Sequence, residues 1–268
     1  MRACSARSNA ARIQLTLTAQ QHAALIRRTS GETKALHHSE RSARLAQVSI
    51  LATLSEPSLR YIAQCCAWRQ CEAGSQILGY QDPSTDIFFL LVGKARVIVY
   101  SLDGKAVVFT DLKPGAMFGE IAAIDRKPRS ASIEALETCT IASLSSDQFE
   151  ALLLREPSVA MATLREIAAD VRRLSERVFE FSTMAVRNRI HAELLRLAGQ
   201  GHAVGGEVTL SPAPSLSDIA NRISTHREAV SRELSRLSAR GLLRRESGSL
   251  RITDLGKLAE LVDNAKGD

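Results

Sequence analysis

Glu120 and Arg129 stand nine residues apart, the first preceded by Gly119 and the second followed by Ser130 and Ala131. A carboxylate accepts a hydrogen bond from a sugar hydroxyl, and a guanidinium offers a planar fork of donors to phosphate oxygens. Serine adds a hydroxyl, and glycine lets backbone approach a ligand closely. Backbone amides in a short helical turn complete an anion nest. The stretch from Phe118 to Ala131, FGEIAAIDRKPRSA, therefore suits a small phosphorylated ligand, with Gly119, Glu120, Ile121, Arg129, Ser130 and Ala131 as candidate contacts. On spacing alone, an ordinary turn between strands with Arg129 as a solvated surface charge fits equally well.

A second set of polar residues lies a hundred positions on. Ser215-Leu-Ser-Asp218 opens a helix carrying Ile219, Ala220 and Ile223, and a break at Ser224 leads into Thr225-His226-Arg227-Glu228, which has the form of a capping box. The next helix buries Val230, Leu234 and Leu237 and turns Glu228, Ser231 and Arg232 outward. Two short helices with a tight turn make a helix-turn-helix. Arginine is a bidentate donor to guanine and glutamate accepts from cytosine. Glu228 and Arg232 are also four apart, the spacing of a simple pair on one helix face. Leu242 to Ile252, turning at Ser247-Gly248, reads as a β-wing.

The elements that position these residues follow in order. The chain has 268 residues, 45% hydrophobic, with a formal net charge of +6, so it supports one or two cored domains and fits a polyanionic partner. No apolar run approaches the ~20 residues of a membrane helix, and five cysteines without a disulfide-like framework point to a reducing cytoplasm. Residues 1–45 form a basic extension, with arginines at 2, 7, 12, 27 and 28 ahead of the first acid, Glu32, and a short helix near Ala24 to Ile26. Ile50, Leu51, Leu54, Leu59 and Ile62 follow helical spacing, broken at Pro57. From Gln76 to Leu144 the pattern is β, with a hairpin at Asp103-Gly104. Short strands with glycine corners predict a β-roll or jelly-roll-like barrel. Val159 to Arg187 predicts one long helix in which Leu164, Ile167, Val171, Leu174, Val178, Phe181 and Ala185 step by three and four, the heptad seam of a dimer.

With these motifs in place, residues 48–251 resemble the cyclic-AMP receptor / fumarate-nitrate regulator (Crp/Fnr) family of bacterial transcription factors. The resemblance implies an α+β architecture: a basic extension (1–45), a cyclic-nucleotide-binding sensor (46–156), a long dimerisation helix (157–187) and a winged helix-turn-helix (188–268). It implies that Glu120 holds a ribose hydroxyl and that Arg129 and Ser130 hold a cyclic phosphate, with Thr110 facing the ligand. Leu174 and Ser175 stand where the family places a threonine-serine pair against adenine, so one base contact is missing. The serine after Arg129 disfavours cyclic GMP and leaves cyclic AMP as the expected effector. Thr225, His226, Arg227, Glu228, Ser231 and Arg232 match the DNA-reading set, implying palindromic half-sites resembling TGTGA. A homodimer, double-stranded DNA and RNA polymerase are the implied partners, in the cytoplasm. Cys65, Cys66 and Cys71 lack a cluster-binding spacing, no histidine lies between His38 and His191, and no catalytic constellation stands out, so neither a metal cofactor nor an enzyme is expected. The competing readings are a regulator of this shape with a vestigial pocket or a redox signal, and a signalling subunit or enzyme that does not bind DNA.

Overall fold

A computed structural model describes residues 38–267 apart from Asp103 and Gln200. The arginine-rich stretch before residue 38, the helix expected near Ala24 to Ile26 and the aspartate of the Asp103-Gly104 turn lie outside the described residues. Described structure is already present ahead of residue 45, within the stretch expected as an extension. Helix α1 (His38–Leu45) buries Leu45 in the sensor core and sets the Arg41 guanidinium over the Trp68 ring at 5.1 Å. A 3₁₀ turn (Ser49–Leu51) buries Ile50 and Leu51, and α2 (Glu56–Cys65) is capped by Ser55, whose side chain accepts from the Ser58 amide. Pro57, expected to break a helix, sits in the first turn of α2, where its missing N–H leaves nothing unpaired.

The sensor is a roll of two four-stranded antiparallel sheets. Its strands are β1 (Ala67–Cys71), β2 (Gln76–Leu78), β3 (Ile87–Val92), β4 (Ala95–Tyr100), β5 (Ala106–Leu112), β6 (Met117–Phe118), β7 (Ser132–Ala135) and β8 (Cys139–Leu144). The orders are β1-β8-β3-β6 and β2-β7-β4-β5. Strand β3 explains why its sequence, IFFLLV, is apolar throughout. Side chains alternate across a strand: Phe88 and Leu90 enter the core between the sheets, and Ile87, Phe89 and Leu91 enter a second core under the helices. The short helix α3 (Glu120–Asp125) interrupts the strands at the cassette. Helix α4 (Ser146–Arg155), absent from the sequence reading, is announced by a capping box between Ser145 and Gln148 and by the buried Phe149 and Leu152.

Helix α5 (Pro157–Thr183) is about 40 Å long at 1.5 Å per residue. It stops at Met184, so Ala185, expected inside the seam, lies between helices. The expected seven-residue stripe divides in two. Ile167 packs against the sensor core, Leu174 lines the cavity described below, and Phe181 lies under the guanidinium groups of Arg177 and Arg189. The most open part is a narrower row: Leu164, Val171 and Val178 are 57%, 58% and 65% exposed, against 43% for Leu174 and 38% for Phe181, and they alternate with exposed Ala168 and Ser175. That row keeps a heptad period, and its small residues allow close approach of a second helix.

The C-terminal part comprises α6 (Val186–Ala198), β9 (His202–Val204), β10 (Glu207–Leu210), α7 (Leu216–Arg222), α8 (Arg227–Ala239), β11 (Leu243–Glu246), β12 (Ser249–Ile252) and α9 (Leu255–Gly267). Its core gathers Ile190, Leu194, Ile219, Val230, Leu237, Ile252 and Leu258. The wing, β11 and β12, turns where the sequence predicts. The hairpin of β9 and β10 and the last helix were not foreseen, although Gly205-Gly206, both at positive φ, is a hairpin signal.

The exposed row on α5 generates a prediction about assembly. Val171→Glu places like charges opposite each other across a two-fold seam, so sedimentation will show monomers. A variant that stays a tight dimer moves the interface elsewhere.

Candidate ligand cavity and DNA-reading face

The cassette wraps around one buried arginine. Arg129 is 2% exposed, and three of the five N–H donors of its guanidinium go to the protein. Nε donates to Ser84 Oγ at 3.1 Å, Nη1 to the Gly119 carbonyl at 2.9 Å and Nη2 to the Asp86 carbonyl at 2.7 Å. The guanidinium carbon lies 5.4 Å from the centroid of Phe88, which stacks on Phe118 at 5.2 Å. Gly119 has φ +78°, and a Cβ there would come within 2.6 Å of Arg129 Nη1, so no larger residue fits without displacing the arginine. Burial pulls the Arg129 pKa down, against the charges of Asp86, Asp82 and Glu120. The reading of Arg129 as a solvated surface charge is therefore wrong.

Beside it lies a cavity of about 550 Å³. Gly119, Glu120, Ile121, Arg129, Ser130 and Ala131 line it from the cassette, Thr110 from β5 and Leu174 from α5. Ser175 does not line it; its hydroxyl donates to the Val171 carbonyl at 2.9 Å and stands on the exposed row of α5. Glu120 begins α3, and burial raises its pKa, helped by the negative charges of Asp170 and Glu166 and opposed by Arg129.

Several lining residues escaped the sequence reading: Asp111 and Lys113 at the end of β5, and Glu166, Asp170 and Arg173 on α5. The last three step by four and three along one helix face, a legible signal. Arg173 Nη1 and Asp170 Oδ1 pair at 3.0 Å. The described cysteines are all free thiols. Burial and the neighbouring Cys65 push Cys66 up to about 12, and burial also raises Cys71 and Cys139, which disfavours their reactive thiolate forms.

On the other face, the expected capping box at Thr225 does not form. Helix α8 starts at Arg227 with His226 as N-cap and no side-chain cap bond. Ser224, at φ +50°, makes the tight turn between α7 and α8. Thr225 is half-buried, whereas His226, Arg227, Glu228, Ser231 and Arg232 are exposed along the first turns. A hydrogen bond from its own backbone amide, then one from Arg227 Nε at 3.1 Å, holds Glu228 below the usual carboxylate range. The expected alternative, a pair between Glu228 and Arg232, is not formed. The helix is pinned from behind by Glu233, which meets His191 Nε2 of α6 at 2.8 Å in the core.

The comparisons agree with this geometry. Residues 68–156 match the cyclic nucleotide-binding domain and residues 188–261 the Crp-like helix-turn-helix domain. The cyclic AMP receptor protein of Thermus thermophilus is 30% identical over 194 residues, covering 70% of this chain and 85% of that protein. The chain belongs to the Crp/Fnr family of transcription regulators. A CRP-like cAMP-activated global transcriptional regulator of Mycobacterium tuberculosis is 26% identical over 187 residues, 69% of this chain and 84% of the relative. Among solved structures, a CooA mutant from Carboxydothermus hydrogenoformans shares the fold with TM-score 0.69 at 19% identity, covering 81% of this chain and 95% of that one. The c-di-GMP responsive regulator CLP of Xanthomonas campestris does so with TM-score 0.65 at 16% identity, covering 74% and 99%. The chain is thus a Crp/Fnr-type DNA-binding regulator with a ligand-binding domain, in a class whose members are regulators rather than enzymes. Among the described residues, no helix is long and apolar enough to cross a membrane.

The His191–Glu233 contact has a pH signature. Burial lowers the His191 pKa below its ordinary 6.5, more than the Glu233 carboxylate raises it, and Nδ1 has no partner. The unfolded chain therefore binds the proton more readily, so stability is full above pH 6.5 and falls as pH drops below it. Thermal unfolding between about pH 5 and 7.5 will show this loss in the wild type and a shallower slope in His191→Gln. Equal slopes would remove His191 as the cause.

Proposed function

We propose that the protein is a homodimeric regulator whose DNA binding is set by a cyclic nucleotide, cyclic AMP being favoured, with RNA polymerase as downstream partner in the cytoplasm. The observation that carries this reading is the cavity that the cassette and the long helix line together. In it, Arg129 keeps two N–H groups for an anion after binding the cassette. Ser130 offers a hydroxyl at the rim, and Glu120 is placed at the start of α3 to accept from a ribose hydroxyl. Leu174 gives the base an apolar wall, and Thr110 a hydroxyl. The sensor is assigned to 46–156, the dimerisation helix to 157–187 and the DNA reader to 188–268. A ligand shifts such a protein only by its different affinity for two dimer arrangements, and the break between α5 and α6 at Met184 and Ala185 is a natural pivot.

On the DNA side, Arg227, Glu228, Ser231 and Arg232, with His226 and Thr225 at the helix start, face the major groove. Two such helices in successive grooves require half-sites about one helical turn apart. Selection from a random duplex library with cyclic AMP present will return palindromes with TGTGA-like half-sites, and fewer without it. Arg232→Ala will cost about 1–3 kcal/mol and relax preference at one base pair. Non-palindromic winners, or an unchanged base preference in the variant, would overturn the reading of α8.

A further inference from the structure

Asp111 belongs to two places at once. Its stretch, Thr110 to Lys113 at the end of β5 and just past it, forms part of the cavity wall. Its carboxylate also reaches out of the sensor into the helix-turn-helix. Oδ1 accepts from Arg96 Nε at 2.7 Å, and Oδ2 accepts from Arg96 Nη2 at 3.0 Å and from Nη2 of Arg222, the last residue of α7. Arg96 Nη1 in turn pairs with Asp218 Oδ1 of α7 at 2.5 Å, and Arg222 Nε donates to Asp218 Oδ2 at 3.4 Å. Two charges from the sensor and two from the first helix of the helix-turn-helix pair, α7, thus close a ring of alternating sign.

The ring continues inward. Arg222 Nη1 lies 3.7 Å from Glu193 Oε1 of α6, and Glu193 Oε2 accepts from Arg177 Nη1 at 2.8 Å and Arg196 Nε at 3.0 Å. Arg196 Nη1 donates to both oxygens of Glu180, at 2.8 and 3.0 Å, and Arg177 Nη2 donates to the Arg222 carbonyl. Four arginines balance four acids, joining β4, β5, α5, α6 and α7. These groups are poorly hydrated: side-chain exposure is 16% for Arg96, 17% for Asp111, 7% for Arg222 and 2% for Glu193. Buried ions cannot exchange a lost partner for water without penalty, so a ring of this kind tolerates one arrangement and resists intermediate ones. Burial alone would raise the Asp111 pKa, yet the bonds from Arg96 and the charge of Arg222 hold it below the usual range.

We propose that Asp111 couples the two functions: its pairing with Arg96 and Arg222 sets how the DNA reader is held on the sensor, and a ligand in the cavity acts on the reader by drawing on this carboxylate or shifting its strand. The proposal rests on the cavity reading above and adds the route by which occupancy reaches DNA. If a hydroxyl or amino group of the ligand takes one Asp111 oxygen, Arg222 loses a counter-charge, and α7 must move to recover one. Coupling of this kind is a free energy between sites and is measured as a ratio of affinities.

The test uses the full chain with Arg96→Gln and Arg222→Gln, since neither side chain lines the cavity. A fluorescent duplex with a TGTGA-type palindrome is titrated with and without cyclic AMP, nucleotide binding is measured alone by calorimetry, and hydrogen exchange is followed across 216–222. Both variants should bind cyclic AMP within about threefold of wild type. In wild type the nucleotide should change DNA affinity by about tenfold or more, and in each variant by less than about twofold. Exchange across α7 should rise in both variants without nucleotide. Arg96 lies on the sensor, so its loss reaches DNA only through the ring; a lost phosphate contact at Arg222 would instead lower both affinities equally and leave the ratio intact. A wild-type ratio in Arg96→Gln overturns the coupling. If wild type takes up no cyclic nucleotide, the cavity reading fails and takes the ligand half of the proposal with it. Exchange across α7 still decides the clamp by itself: a rise in Arg96→Gln supports it, and no change overturns it.

Discussion

The sensor depends on how a buried guanidinium is satisfied. Arg129 is removed from water, and every group around it serves to make that tolerable: two backbone carbonyls, the Ser84 hydroxyl and the face of Phe88. Cation–π contact and charge-assisted bonds strengthen where solvent is excluded. The same contacts fix the cassette. Gly119 must be glycine because Nη1 occupies the place of its side chain, and the chain then enters α3 with Glu120 at its start. A charge already desolvated and oriented reorganises little when an anion arrives, which is the condition for selective phosphate binding. The arginine thus braces the cassette and, in the function proposed above, also receives the phosphate.

A second constraint concerns where apolar surface is left over. One protomer sets Ile167, Leu174 and Phe181 against its own core, its cavity and its arginines, with Leu174 and Phe181 still partly open, and leaves Leu164, Val171 and Val178 more exposed than these. In the function proposed above, a helix that divides its stripe in this way ties ligand, sensor and dimer seam to one rod. Any change of its packing on the sensor side is felt along the seam and at the break before Val186.

Much of this was legible in the sequence, for physical reasons. Strand β3 declared itself as a continuous apolar run because both its faces are buried, and the wing by its Ser-Gly turn. The spacing of glycine, acid and arginine in the cassette suited an ordinary turn equally well, and only its resemblance to a known family, carried by the rest of the chain, separated the two. What escaped depends on distant partners. Nothing local distinguishes Asp111 from a surface acid at a strand end; its meaning comes from Arg222, 111 residues away. The long helix was drawn too far, to Arg187, because Ala185 continues the step of four from Phe181 across a backbone that turns extended at Met184. The supposed capping box at Thr225 failed because the tight turn places His226, not Thr225, at the helix start.

The central claim is that the cavity beside Arg129 holds a cyclic nucleotide, and titration calorimetry with cyclic AMP tests it most directly. The account predicts saturable binding at one site per protomer, weaker for cyclic GMP. Arg129→Ala should weaken it by about 2–5 kcal/mol through loss of a desolvated charge partner. Because Arg129 also braces the cassette, Glu120→Gln serves as companion and should weaken binding at least about tenfold, or 1.4 kcal/mol. No saturable heat with either nucleotide, or wild-type affinity within about threefold in both variants, would contradict the account.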